Sequence, residues 1–272
     1  MTAASGSEVL LVGCGKMGQA LLKGWLAGGV VAHATVVEPA GVAGFDGETR
    51  ATFFADAAML PPGYAADVIV LAVKPQYMDG AVPPYRDLVG RGTLVLSIAA
   101  GKTFAAYERY FGDAAAIIRA MPNTPASIGR GISVAVANRH VGAAGRTLCD
   151  ALLRAVGSVE WVEDEALIDV VTAVSGGGPA YVFLLIEALA AAGAKSGLPP
   201  ELAMRLARET VSGAGELARL SPDSAEQLRR NVTSPAGTTL AALTILMAPD
   251  GIQPLYDRAI AAATARGREL AG

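Results

Sequence analysis

The sequence predicts an α/β protein: an N-terminal doubly wound, mostly parallel sheet over residues 1–163, followed by an all-α domain over residues 164–272. Three observations carry this. Strand-like and helix-like segments alternate up to about residue 163, strand signals then stop while helical spacing takes over, and a glycine-rich turn directly follows the first strand and opens the first helix. A chain of 272 residues is long enough for two cores. With 52% hydrophobic residues, a net charge of −3 and a pI near 5.5, it is neither disordered nor a basic nucleic-acid binder. Charged residues make up 17%, below the roughly 25% usual for soluble domains, so helical surface is expected to be covered by other subunits of an oligomer.

The strands are expected at Glu8-Val12, Thr35-Glu38, Thr52-Phe54, Val68-Val73, Thr93-Ile98, Ala115-Arg119, Ile132-Ala137 and Ser158-Trp161. Each is a short β-branched or apolar run, and helical patterns such as Gly18-Ala27 and Gly142-Ala155 lie between several of them. Beyond Asp164 the helical spacing covers Glu165-Val174, Ala180-Lys195, Pro200-Leu220, Ala225-Arg230, a segment after Ser234, and Pro254-Arg266.

Other classes are weakly supported. Cys14 and Cys149 cannot make a disulfide framework, and no basic stretch precedes the apolar run at residues 9–12, so a cytoplasmic location is expected. Two histidines, His33 and His140, and two cysteines at unrelated spacings predict no metal site. Val170 to Ile186 carries no charge, but Ser175-Gly-Gly-Gly-Pro179 interrupts it, so no membrane span is expected.

Gly13-Cys14-Gly15-Lys16-Met17-Gly18 is a G-x-G-x-x-G between strand and helix, the setting in which it binds a dinucleotide. Gly13 allows the tight turn, Gly15 lets backbone amides approach a pyrophosphate, and Gly18 lets helix and strand pack closely, with Lys16 and Met17 in the same loop. Cys14 reads as a small filler. Glu38, at the end of the second strand, can accept hydrogen bonds from an adenine-ribose diol and repels a 2′-phosphate. It tilts the choice between NADPH and NADH toward NADH, although Arg50 or Lys16 could still reach that phosphate.

Two further strand ends should line the same groove: Ala72-Val73-Lys74-Pro75 after the fourth strand and the turn holding Ala99 after the fifth. Arg119-Ala-Met121-Pro-Asn123-Thr-Pro125 follows the sixth, and its prolines hold an extended loop that can press Met121 and Asn123 against a nicotinamide. In the helical half, Ser175-Gly176 opens a glycine-rich break between two apolar helices, read as a close backbone approach or a ligand site. Ser234-Pro235 is expected to cap and start a helix whose free amides at Gly237, Thr238 and Thr239 suit a carboxylate. On local sequence alone an ordinary capped helix is the better explanation.

Taken together, Ala72-Val-Lys-Pro-Gln76, Met121-Pro-Asn-Thr-Pro125, the Ser-Gly-x-Gly-Pro-Ala-Tyr core within residues 169–183, and Asn231-Val-Thr-Ser-Pro-Ala-Gly-Thr-Thr resemble pyrroline-5-carboxylate reductase over nearly the whole chain. That resemblance implies a Rossmann domain joined to a helical dimerisation domain that also contributes to the substrate site. It implies reduction of 1-pyrroline-5-carboxylate to L-proline by NAD(P)H, the last step of proline biosynthesis, and a homodimer that in some members assembles into a decamer.

By position the resemblance makes Ala72, Val73, Lys74 and Asn231 cofactor contacts, Thr238 and Thr239 the substrate loop, and Ser175 part of the substrate-side turn, with the Thr239 hydroxyl taken to bond the ring nitrogen. Three departures stand out. Ala236 replaces a glycine, Glu38 replaces a small polar residue, and Met59 lies where many members carry an asparagine. Two other readings compete: a β-hydroxyacid dehydrogenase, for which Lys195 is the only lysine beyond residue 102, and an NAD(P)H sensor without turnover.

Overall fold

A computed structural model describes residues 6–90 and 92–271; the first five residues of the expected nucleotide-binding domain and the last residue of the helical one lie outside this range. All eight expected strands form: β1 (Glu8–Val12), β2 (His33–Val37), β3 (Ala51–Phe54), β4 (Val68–Leu71), β5 (Leu94–Ser97), β6 (Ala116–Met121), β7 (Gly131–Ala137) and β8 (Gly157–Trp161). They join one sheet in the order β3-β2-β1-β4-β5-β6-β7-β8. Every neighbouring pair is parallel except β6 and β7, which are antiparallel.

The side-chain alternation of β1 shows why the sheet is covered on both sides. Val9 and Leu11 join a core with Val68, Val70, Leu94 and Leu96, while Leu10 and Val12 join another with Ile69, Leu71 and Val95. Over the first face lie α1 (Lys16–Gly28), with buried Leu21, Leu22 and Trp25, and a later helix carrying buried Leu152 and Leu153. Gly29 closes α1 in the left-handed region and returns its amide to Leu26. The second face is covered by a short α2 (Met78–Ala81), whose Met78 is buried, and by α3 (Phe104–Phe111), which contributes Tyr107 and Phe111. The helix carrying Leu152 is α4 (Ala143–Arg154), and the Trp25 indole donates to the Leu152 carbonyl at 2.9 Å, joining α1 to α4.

In the helical half the expected segments form as α5 (Leu167–Val171), α6 (Gly178–Lys195), α7 (Pro200–Leu220), α8 (Ala225–Asn231), α9 (Thr238–Leu246) and α10 (Ile252–Ala271). Two expectations are corrected. The Ser175 region is not an open break: Thr172–Gly176 forms a π-helical turn between α5 and α6, and Pro179 sits in the first turn of α6, where a missing amide costs nothing. Residues 167–195 are thus long and apolar enough to cross a membrane by length and composition, so the interruption argument does not exclude a span.

The second correction is at Ser234-Pro235, which does not start a helix. Ala236 adopts φ 58° and turns the chain, so α9 begins at Thr238 with Gly237 as its cap.

The Cα packing separates two compact units, residues 1–176 with 263–272 and residues 177–262. By packing, α5 and the π-turn stay with the sheet: Ile168 of α5 packs with Val134 and Val136 of β7.

Candidate active site

The first unit presents a cleft of ≈ 470 Å³ beyond the carboxyl ends of β1, β2 and β4, lined by Gly13, Gly15, Glu38, Asp56, Ala72 and Lys74 among others. This is where the sheet order reverses direction, the usual ligand position in such sheets.

Hydrogen bonds fix the glycine turn within it. Gly13 donates to the Val37 carbonyl at 2.9 Å, and Ala72 donates to Val12 at 2.8 Å. Gly13 has φ 87°, and a Cβ there would stand 2.8 Å from the Ala72 carbonyl oxygen. A Cβ on Gly18 would lie 2.6 Å from the Gly13 oxygen, whereas one on Gly15 would meet nothing within 4 Å. Gly13 and Gly18 are therefore glycines because neighbouring backbone crowds them. Gly15 faces open space in front of α1, whose first amides lack intrahelical partners and have no side-chain cap. A cradle of this form fits a pyrophosphate.

The predicted cofactor residues distribute around this cradle. Ala72, Val73 and Lys74 line the cleft, and Pro75 begins a 3₁₀ turn immediately after them. Lys16 and Met17 do not line it; with Thr124 they line an adjoining cleft of ≈ 330 Å³. Ala99 is not a cleft-lining residue; it follows β5 and donates its amide to Ser97 Oγ at 3.3 Å. Glu38 lines the cleft and uses both carboxylate oxygens locally, accepting from the Cys14 amide at 2.7 Å and the Ala40 amide at 3.1 Å. Burial, with Glu38 adding to it, pushes the Cys14 thiol up to about 11, which keeps it protonated and inert near neutrality.

Four of the predicted substrate residues come together. Asn123 Nδ2 donates to the Ser175 carbonyl at 3.1 Å, and its Oδ1 accepts from the Ile132 amide at 3.0 Å. A Cβ on Gly176 would stand 2.6 Å from Met121 Cε. Met121 is the last residue of β6 rather than part of the following loop. The Ser175 hydroxyl donates to the Val171 carbonyl at 3.1 Å, a bond from the π-turn back to the last residue of α5 that leaves its lone pairs as acceptors.

In the second unit the α9 start is open: Gly237 is half-buried, Thr238 and Thr239 are exposed, and no side chain caps the first amides. Asn231, at the end of α8, is also exposed and accepts from Gln227 Nε2 at 2.7 Å.

Local pattern did not reveal two features. Asp56 lines the cleft and caps a 3₁₀ turn, with Oδ1 accepting from the Ala58 amide at 2.8 Å. Buried Arg119 of β6 pairs with Glu165 at 2.6 Å, and the same Glu165 oxygen accepts the Phe104 amide at 2.6 Å, fastening the start of α3. Arg119 Nε has no hydrogen-bond partner among the described residues. Nearby, Ser97 Oγ and the Tyr107 hydroxyl share a short hydrogen bond. No sequence spacing relates residues 97, 107, 119 and 165, so only a mid-strand arginine hinted at a buried partner.

The histidines are elsewhere. His33 Nδ1 lies 3.2 Å from Glu8 and its Nε2 lies 3.0 Å from Thr52, while His140 follows β7.

Residues 165–270 match the family model described as pyrroline-5-carboxylate reductase dimerisation, and residues 8–101 match one described as NADP oxidoreductase coenzyme F420-dependent. The long apolar stretch of residues 167–195 lies within the dimerisation match, where a second chain can cover it. A pyrroline-5-carboxylate reductase from Pseudomonas aeruginosa is 40% identical over 206 residues, 76% of this chain and 75% of that one. The Pisum sativum enzyme of that name is 34% identical over 95% of this chain and 94% of its own. Among solved structures, a pyrroline-5-carboxylate reductase from Coxiella burnetii superposes with a TM-score of 0.89 at 35% identity, covering 98% of this chain and 99% of that one. A Plasmodium falciparum pyrroline carboxylate reductase, solved with NADP bound, gives 0.82 at 27% identity over 98% of each chain.

Proposed function

This chain belongs to the pyrroline-5-carboxylate reductase family, and from that premise we propose how its own residues reduce 1-pyrroline-5-carboxylate to L-proline. The observation that carries the reading is the Gly13–Gly18 cradle, crowded at its two outer glycines and open at Gly15, placed at the reversal point of the sheet. Held in that cradle, NAD(P)H would supply hydride for C5 of the cyclic imine.

The chain's part is to bind and align. The free amides of α1 hold the pyrophosphate, Ala72, Val73 and Lys74 border the dinucleotide, and Asn231 adds a polar contact to it. Gly237, Thr238 and Thr239 at the uncapped α9 start hold the substrate carboxylate, and the Thr239 hydroxyl hydrogen-bonds the ring nitrogen. Asn123, by holding the Ser175 carbonyl, keeps Ser175 and Gly176 against Met121 as the substrate-side wall. The imine arrives protonated or takes its proton from water. His33 is engaged with Glu8 and Thr52, so it is not the acid. Aligning two bound molecules can supply about 7–11 kcal/mol of the barrier.

Residues 1–163 act as the nucleotide-binding part and 164–272 as the dimerisation and substrate part of a cytoplasmic homodimer, of which five copies can close into a decamer. Sedimentation measures that assembly. The site is tested by steady-state kinetics of Thr239→Val, for which kcat/KM should fall about 5- to 150-fold, the cost of one lost hydrogen bond. Unchanged kcat and KM would remove the hydroxyl from the mechanism.

A further inference from the structure

The wall of the nucleotide cleft beyond β2 is acidic, and apart from Lys74 the cations close to it in sequence are engaged or line another cleft. Glu38 lines the cleft with its carboxylate pinned between two backbone amides, Cys14 in the glycine turn and Ala40 beyond it. Asp56 is a second carboxylate on the same lining. Arg50, the guanidinium nearest in sequence, donates to the Leu26 carbonyl at 2.8 Å and to Glu48 at 3.1 and 3.2 Å, and it is not part of the lining. Lys16 lines the adjoining cleft, and Lys23 sits over the Phe45 ring at 5.7 Å. Lys74, after β4, is the cation among the lining residues.

An acidic side chain at the end of the second strand of such a fold accepts from the adenine-ribose diol. A carboxylate accepts hydrogen bonds from a 2′-hydroxyl, but a 2′-phosphate in its place sets a doubly charged anion against a fixed negative charge. The two amides matter because they hold Glu38 in place and oppose its swinging aside to admit the phosphate. We infer that Glu38, with Asp56 on the same cleft lining, makes this reductase selective for NADH over NADPH. The inference rests on the reading of the cleft as the NAD(P)H site and adds to it the choice of cofactor.

Binding without turnover tests it. The full-length protein is titrated calorimetrically with NADH and NADPH, and separately with 5′-AMP and adenosine 2′,5′-bisphosphate, without imine. The wild type should bind the unphosphorylated member of each pair about tenfold or more tightly. Glu38→Ser and the isosteric Glu38→Gln should narrow both ratios by strengthening the phosphorylated ligands, and Asp56→Asn should narrow them less. Circular dichroism checks that each variant is folded. Equal or tighter wild-type binding of NADPH overturns the selectivity while leaving the reductase reading intact, and so do ratios that Glu38→Gln leaves unchanged. Failure to bind any of the four ligands overturns both.

Discussion

The two compact units spend their apolar residues in opposite ways. In the sheet unit, every residue of β4 and β5 is buried, and the cores on both faces are completed within one chain. In the helical unit α6 is almost uniformly apolar, yet Phe183 is 58% and Leu184 62% exposed, and Ile245 at the end of α9 is 74% exposed. A helix apolar all round is a buried helix, and one chain does not bury this one. One unit is thus a finished domain, while the other is half of a core that its family completes with a second copy.

The largest effect should come from charging that unfinished face. Phe183→Glu combined with Leu184→Arg should yield monomers in sedimentation and lower activity by roughly 100-fold or more, since buried apolar contacts carry most interface energy. NADH titration of the same variant should stay within about threefold of wild type, because coupling between independent cores is small. A dimer that survives this change would contradict the comparison.

Next, Trp25→Ala removes a fully buried side chain and its bond to Leu152, and should cost about 3–5 kcal/mol of stability in urea unfolding. That loss should be independent of protein concentration for unfolding of the sheet unit, in contrast to the interface variant.

The smallest effect is expected at Ala236, the described non-glycine residue with positive φ. Left-handed geometry costs an alanine about 1–2 kcal/mol, and glycine returns about half of that through its greater freedom when unfolded, so Ala236→Gly should stabilise by about 0.5–1 kcal/mol. Differential scanning calorimetry should show a rise of about 1–3 °C, and no rise would mean that the turn is not strained.

Much of this was legible from residue order. β4 and most of β5 are apolar runs bounded by turn residues, and Gly13 and Gly18 need the absence of a side chain for a reason the spacing announces. The Ser175 region misled because a glycine run ordinarily ends a helix, whereas here Asn123 holds the Ser175 carbonyl and the chain continues through a π-turn. Ser234-Pro235 misled because a good helix start was overruled one residue later by the backbone of Ala236.

By itself, then, the order of residues determined the eight strands, the cradle and the family, since these depend on local periodicity and on glycines at fixed offsets. Only the tertiary structure decided that Glu38 is held by the Cys14 amide, that Arg50 is taken up by Glu48 and Leu26, and that Arg119 meets Glu165. The physical reason is that a charge's effect depends on what it faces in space, and partners such as Arg119 and Glu165, on different elements far apart in the chain, leave no mark in its periodicity.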